Sequence, residues 1–183
     1  LKKSISIYNN GYQLSMVVAD LFALLSTLFL SSFIRLYNLG EPVSTYAFDY
    51  GVIVLPGLFF KMVTYVMSQA YQSLGNSGTP FRIIFIGLVT NMILEPVLIF
   101  GLGPIPALGI QGAAIATTGA QILVFLLFHY FMRKDDILCR TTWMVKPDKG
   151  LWTDIFKIGF PVSLLSAAHC LVSLFLNVLI ATF

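Results

Sequence analysis

Apolar residues fill five long stretches of this chain, 12–34, 48–70, 81–100, 110–131 and 159–183, and polar residues collect between them. Each stretch is continuous. A membrane barrel strand would instead alternate apolar and polar positions. About 20 apolar residues, rising 1.5 Å each, cross a hydrocarbon layer about 30 Å thick. Lipid offers no partner to an open backbone amide or carbonyl, so runs of this length predict helices. The pattern predicts an all-α protein, a polytopic transmembrane helix bundle with five spans.

Composition supports that reading. Of 183 residues 57% are hydrophobic and 10% charged, with a mean hydropathy of +0.86. A soluble domain carries roughly 25% charged residues, so this chain lacks the means to cover a surface facing water. Its net charge of +3 does not point to nucleic acid, because the basic residues lie in loops. Six of the eleven, Arg133, Lys134, Arg140, Lys146, Lys149 and Lys157, fall between the fourth and fifth runs. By the positive-inside rule that loop is cytoplasmic, and every other loop then agrees with one orientation; the membrane expected is the plasma (inner) membrane. The organisation expected is four helices over 1–132, a cytoplasmic basic linker over 133–158 and a further helix over 159–183. Within the linker, 151–157 puts Leu151, Trp152, Ile155 and Phe156 on one face, which suits a short interfacial helix. Cys139 and Cys170 match neither metal nor disulfide spacing. The chain opens on Leu1 and closes in an apolar run, so it reads as an internal fragment.

Ionisable residues inside spans are costly and usually face a partner or an interior path. Asp20, Lys61 and Glu95 are the clearest. Asp20 and Lys61 lie at similar depths from the same membrane face, so the expectation is an intramembrane ion pair. Glu95 follows Asn91 by one helical turn, which aims both side chains the same way. Pro96 has no amide hydrogen, so the Met92 carbonyl loses its helical donor. A carboxylate, an amide and a freed carbonyl are oxygen ligands that suit a hard cation, and they can equally hold a proton. Thr117 reaches a similar depth on the next helix. The expected cation or proton site is therefore Asn91, Glu95 and Thr117. It needs no cofactor, and no metal is expected beyond a possible Na⁺ at Glu95. The stripe Gly112, Ala116, Ala120 reads as close helix packing.

Three segments resemble the multidrug and toxic compound extrusion (MATE) family. The turn Gly75-Asn76-Ser77-Gly78-Thr79-Pro80 is similar to the one between the family's fourth and fifth helices. The run Asn91-Met92-Ile93-Leu94-Glu95-Pro96 resembles its fifth helix, and Leu108-Gly109-Ile110-Gln111-Gly112-Ala113-Ala114 the start of its sixth. The resemblance implies helices three to seven of a twelve-helix, two-lobe transporter. It also implies alternating access and export of organic, often cationic, compounds in exchange for Na⁺ or H⁺. Glu95 stands where many family members have Asp.

The partners this implies are the lipid bilayer, small organic substrates and the remaining helices of the transporter, with no nucleic acid. A lipid-linked saccharide flippase is the alternative within transport, but it favours a basic cavity, and Lys61 is the clear basic residue within the spans. A membrane enzyme would want clustered histidines and acids; His129 and His169 stand apart, so no enzymatic role is read. A non-transporting subunit would leave buried Asn91 and Glu95 as a cost without a use.

Overall fold

A computed structural model of the chain describes residues 2–36, 40–102, 104, 106–135 and 149–181. Five helices make up its regular structure among those residues: α1 Lys2–Leu36, α2 Val43–Ser73, α3 Gly78–Phe100, α4 Ile110–Lys134 and α5 Lys149–Ala181. α1 to α4 are each long and apolar enough to cross a membrane. They run antiparallel in sequence because their connections are short, and α1 packs along α2, α2 along α4, and α4 along α3.

Four of the helices start earlier than their apolar runs, α1 and α5 by ten residues each. α1 begins ten residues before Tyr12 and carries Asn9 and Asn10, both buried. Hydropathy marks the stretch that lipid surrounds, whereas the helix continues wherever its own hydrogen bonds and neighbours hold it.

The core is small and sits toward the end of the bundle that holds the α2–α3 turn. Tyr12, Ala19, Val63, Met67, Tyr71, Ile83, Phe128 and Met132 form one buried cluster. Two polar contacts tie that end together: the Tyr71 hydroxyl donates to Asp135 Oδ2 at 3.0 Å, and the Tyr8 hydroxyl donates to Met132 Sδ at 3.5 Å. Most remaining large apolar side chains point outward, among them Phe29, Phe81, Leu88 and Met92. In water that surface would drive aggregation. Against lipid or further helices it is the expected exterior.

α3 and α4 approach so closely that backbone meets backbone. A Cβ at Gly112 would run into the Leu98 carbonyl, and one at Gly87 would run into Val124 Cγ2. The loop between the helices turns back to cap α3: the Leu108 and Gly109 amides donate to the Leu98 and Ile99 carbonyls at 3.0 and 3.2 Å. These are among the last α3 carbonyls, which have no donor within their own helix.

The chain divides into two compact units, Leu1–Trp143 and Met144–Phe183. The second contains α5, a single helix through Gly159 and Pro161. The short interfacial helix expected over 151–157 is therefore not separate; it forms the first turns of α5. The change from charged to apolar residues near position 158 is a change of environment and not a break in the backbone. Residues 136–148 of the basic linker, Cys139 among them, the side chain of Cys170, and the last two residues of the expected fifth span lie outside the described residues.

Candidate functional site

Glu95 and Asn91 form the polar centre of α3. Asn91 Nδ2 donates to Glu95 Oε2 at 3.4 Å, the contact that an i, i+4 spacing creates. Both side chains are half-buried. Asn91 Oδ1 is buried and accepts no hydrogen bond among the described residues. α3 continues unbroken through Pro96 to Phe100, and Pro96 has no amide hydrogen to give the Met92 carbonyl.

Thr117 stands on α4 at the same level. Counting from the Leu98–Gly112 contact, one step back along α3 matches one step forward along α4, which sets Thr117 opposite position 93, between Asn91 and Glu95. Around the α4 axis Thr117 is about 100° from Ala116, and around the α3 axis Glu95 is about 80° from Gly87. Ala116 and Gly87 are both buried, and Gly87 faces the partner helix. Because the helices are antiparallel, equal rotations open to the same side. Thr117, Asn91 and Glu95 therefore look onto one flank of the α3–α4 pair. The Thr117 hydroxyl makes no side-chain hydrogen bond among the described residues and is half-buried.

This donor set holds a single carboxyl group, that of Glu95. Among the described residues no group of three His, Cys, Asp or Glu side chains gathers in a way that could hold a metal ion.

Asp20 and Lys61 do not form the expected ion pair. A Cβ at Gly51 would touch Leu30, and counting ten residues back from Leu30 and ten forward from Gly51 reaches Asp20 and Lys61, so their depths do match. Both side chains are nevertheless exposed, and no salt bridge joins them among the described residues. The reason is rotation about the helix axis. Lys61 lies about 160° round from Val63, a fully buried member of the core, and so points away from the bundle.

Sequence reasoning also passed over the seam between α2 and α4. The Thr118 hydroxyl donates to the Ile53 carbonyl at 3.1 Å, and Gln111 Nε2 donates to Asp49 Oδ2 at 3.3 Å. Pro56 inside α2 marks this turn, although the carbonyl it leaves without a helical donor is that of Val52, one residue before the one Thr118 meets.

Apolar helices of spanning length, with a carboxylate–amide pair set inside one of them, define a polytopic membrane protein. Comparison with known proteins supplies the family. The family model named MatE matches residues 5–97, just over half the chain. The chain belongs to the MATE family. A second model, described as lipid II flippase MurJ, matches residues 52–183. Among curated relatives, a multidrug export protein MepA of Staphylococcus saprophyticus is 31% identical over 181 residues, covering 97% of this chain and 38% of the relative. An FAD transporter of Shewanella oneidensis is 28% identical over 166 residues, covering 90% and 36%. A solved multidrug resistance MATE family transporter, in an inward-facing conformation, superposes with a TM-score of 0.72 at 21% identity, covering 86% of this chain and 35% of that one. The chain thus spans a little over a third of the length of these two curated relatives.

Proposed function

We propose that this chain is a segment of a secondary antiporter that exports drug-like or toxic organic compounds, often cationic, in exchange for Na⁺ or H⁺ by alternating access. In this reading α1 to α4 belong to the first of two lobes, α5 opens the second, and the basic linker between them faces the cytoplasm from a plasma membrane. The remaining helices and the bilayer complete the protein. The observation that carries the proposal is the Asn91–Glu95 pair at 3.4 Å with Asn91 Oδ1 left buried and unsatisfied. A buried acceptor without a donor is rare in a native protein unless an ion, a water or a substrate completes it.

Glu95 is the coupling carboxylate in this scheme. Loading it with a proton or Na⁺ changes the charge on one flank of the α3–α4 pair, and that difference biases which way the lobes open. Asn91, Thr117 and the Met92 carbonyl supply the other oxygens. The test uses the full-length transporter in liposomes with an imposed pH or Na⁺ gradient. Glu95→Gln keeps the shape of the side chain but cannot change its charge. It is expected to express normally and lose gradient-driven export, and Glu95→Asp to retain part of it. Export by Glu95→Gln at the wild-type rate would refute the coupling role.

One observation favours a second reading. The match to the lipid II flippase model covers 52–183, a longer stretch than the MatE match. Flipping of a lipid-linked saccharide pyrophosphate needs basic side chains facing an interior cavity, whereas Lys61 turns outward here. Flipping of a fluorescent lipid-linked saccharide by the same liposomes, with no export of organic cations, would select that reading.

A further inference from the structure

The seam between α2 and α4 holds a second polar arrangement that the Glu95 site does not use. Pro56 lies in the middle of α2. It has no amide hydrogen for the carbonyl four residues earlier, and its ring crowds that turn. When such a helix bends, the next bond is the one that opens, here from the Gly57 amide to the Ile53 carbonyl. α4 meets this turn with two polar side chains. The Thr118 hydroxyl donates to the Ile53 carbonyl at 3.1 Å. The Gln121 amide oxygen is pressed against Gly57, where a Cβ would lie 2.6 Å from it. That oxygen is buried and accepts no hydrogen bond among the described residues.

A helical hydrogen bond joins one amide to one carbonyl, and α4 offers a replacement for each half. Thr118 and Gln121 are three residues apart, on one face of their helix, the first a donor and the second an acceptor. We propose that Pro56–Gly57 is a hinge in α2 with two settings, and that Thr118 and Gln121 are the positioning residues that make both settings tolerable inside a membrane. In the first setting, with α2 one continuous helix over Val43–Ser73 as here, the Gly57 amide would stay with the Ile53 carbonyl, and the Gln121 oxygen is left over. In the bent setting, the Gly57 amide leaves Ile53 and donates to Gln121 Oε1, while Thr118 keeps the Ile53 carbonyl. Neither the Gly57 amide nor the Ile53 carbonyl is then stranded in lipid, which is the condition opening that bond at this depth must meet. Glycine is needed at 57 because a side chain there would occupy the place of the Gln121 oxygen. The hinge concerns how α2 moves and does not depend on which ion Glu95 binds.

The test places spin labels at cysteines replacing Tyr46 and Gln69, exposed residues on either side of the hinge, in the full-length transporter in lipid nanodiscs. Pulsed dipolar spectroscopy with and without an imposed substrate load reads the distance between them. Wild type is expected to give two distances, the shorter one from the bent setting. Pro56→Ala restores the missing amide and should remove the shorter distance. Gln121→Leu and Thr118→Val should each deplete it about fivefold, the worth of one net hydrogen bond, while Thr118→Ser should keep it. In the Pro56→Ala background neither Gln121→Leu nor Thr118→Val should change the distances further. A single distance in wild type under every condition, or an unaltered pair of distances in Gln121→Leu, overturns the hinge. Loss of export by Glu95→Gln with the two distances intact would leave the hinge standing, so the two proposals fail separately.

Discussion

Replacing Gly87 with Ala should weaken the α3–α4 pair, and a second substitution on the facing helix should repair it. A methyl group at position 87 would run into Val124 Cγ2, with the Ala120 carbonyl 3.8 Å away. Valine has little rotamer freedom on a helix, so its γ-methyl does not swing aside. Forcing an extra carbon into such a contact costs about 1–3 kcal/mol. Alanine returns up to about 1 kcal/mol through its better helix propensity. The single variant should therefore be less stable by about 1–2 kcal/mol, which is roughly a five- to thirtyfold shift in the folded ratio. Val124→Ala alone loses packing on a partly buried side chain. In the double variant the new methyl at 87 fills the space the valine vacates, so the coupling should be favourable by about 1–2 kcal/mol. Gly112 provides the contrast. Its obstacle is the Leu98 backbone, which no side-chain change removes, so Gly112→Ala should find no partner that rescues it. Thermal inactivation of full-length protein in detergent, read by loss of the monodisperse chromatographic peak, measures all the variants. A double variant no more stable than Gly87→Ala alone would refute the packing argument.

Orientation is read by cysteine labelling: a cysteine at Pro104 should react with an impermeant thiol reagent in intact cells, while Cys139 should not. Swapping charges with Asp20→Lys and Lys61→Asp together should recover nothing lost by either alone, because no pair joins them; recovery of folded protein would refute the assigned rotation. Tyr71→Phe removes the bond to Asp135 Oδ2 and should cost about 1–2 kcal/mol, with Asp135→Asn giving little more in combination, as a thermal-stability cycle would show. Hydrogen bonds from Ser44 and then Thr45 hold the Glu41 carboxyl below its ordinary value. Its contribution at the start of α2 is thus present above the unfolded pKa and lost as pH falls through the lower folded one. Thr45→Ala should move that titration upward in a carbon-detected NMR experiment on labelled glutamate.

The runs of apolar residues were enough to locate every helix among the described residues, since their continuity excludes a barrel and the cost of open backbone in lipid then leaves only helices. Depth along each helix was also legible: the rise per residue set Thr117 level with Asn91 and Glu95, and Asp20 level with Lys61. Rotation was not. Whether Lys61 faces α1 or the outside depends on which side chains of α2 pack, and several faces of that helix are equally apolar. The same ambiguity hid Thr118 behind Thr117, because adjacent threonines differ by about 100° and only the packed structure reveals which one meets Ile53. The Asn91–Glu95 contact was readable because both partners share one helix and local geometry alone brings them together.

The capped loop between α3 and α4 has a consequence for how the protein is made. The Leu108 and Gly109 amides close the end of α3, while Gly87 and Gly112 let the two helices lie in backbone contact. Such a hairpin is held by neighbours in sequence and can form as soon as its second arm leaves the ribosome. A lone α3 would carry Asn91 and Glu95 into the bilayer without shelter, at about 2.5–3.5 kcal/mol for a central charge. Entering as a pair, the helix brings its own wall, and the carboxylate crosses the membrane already flanked by protein.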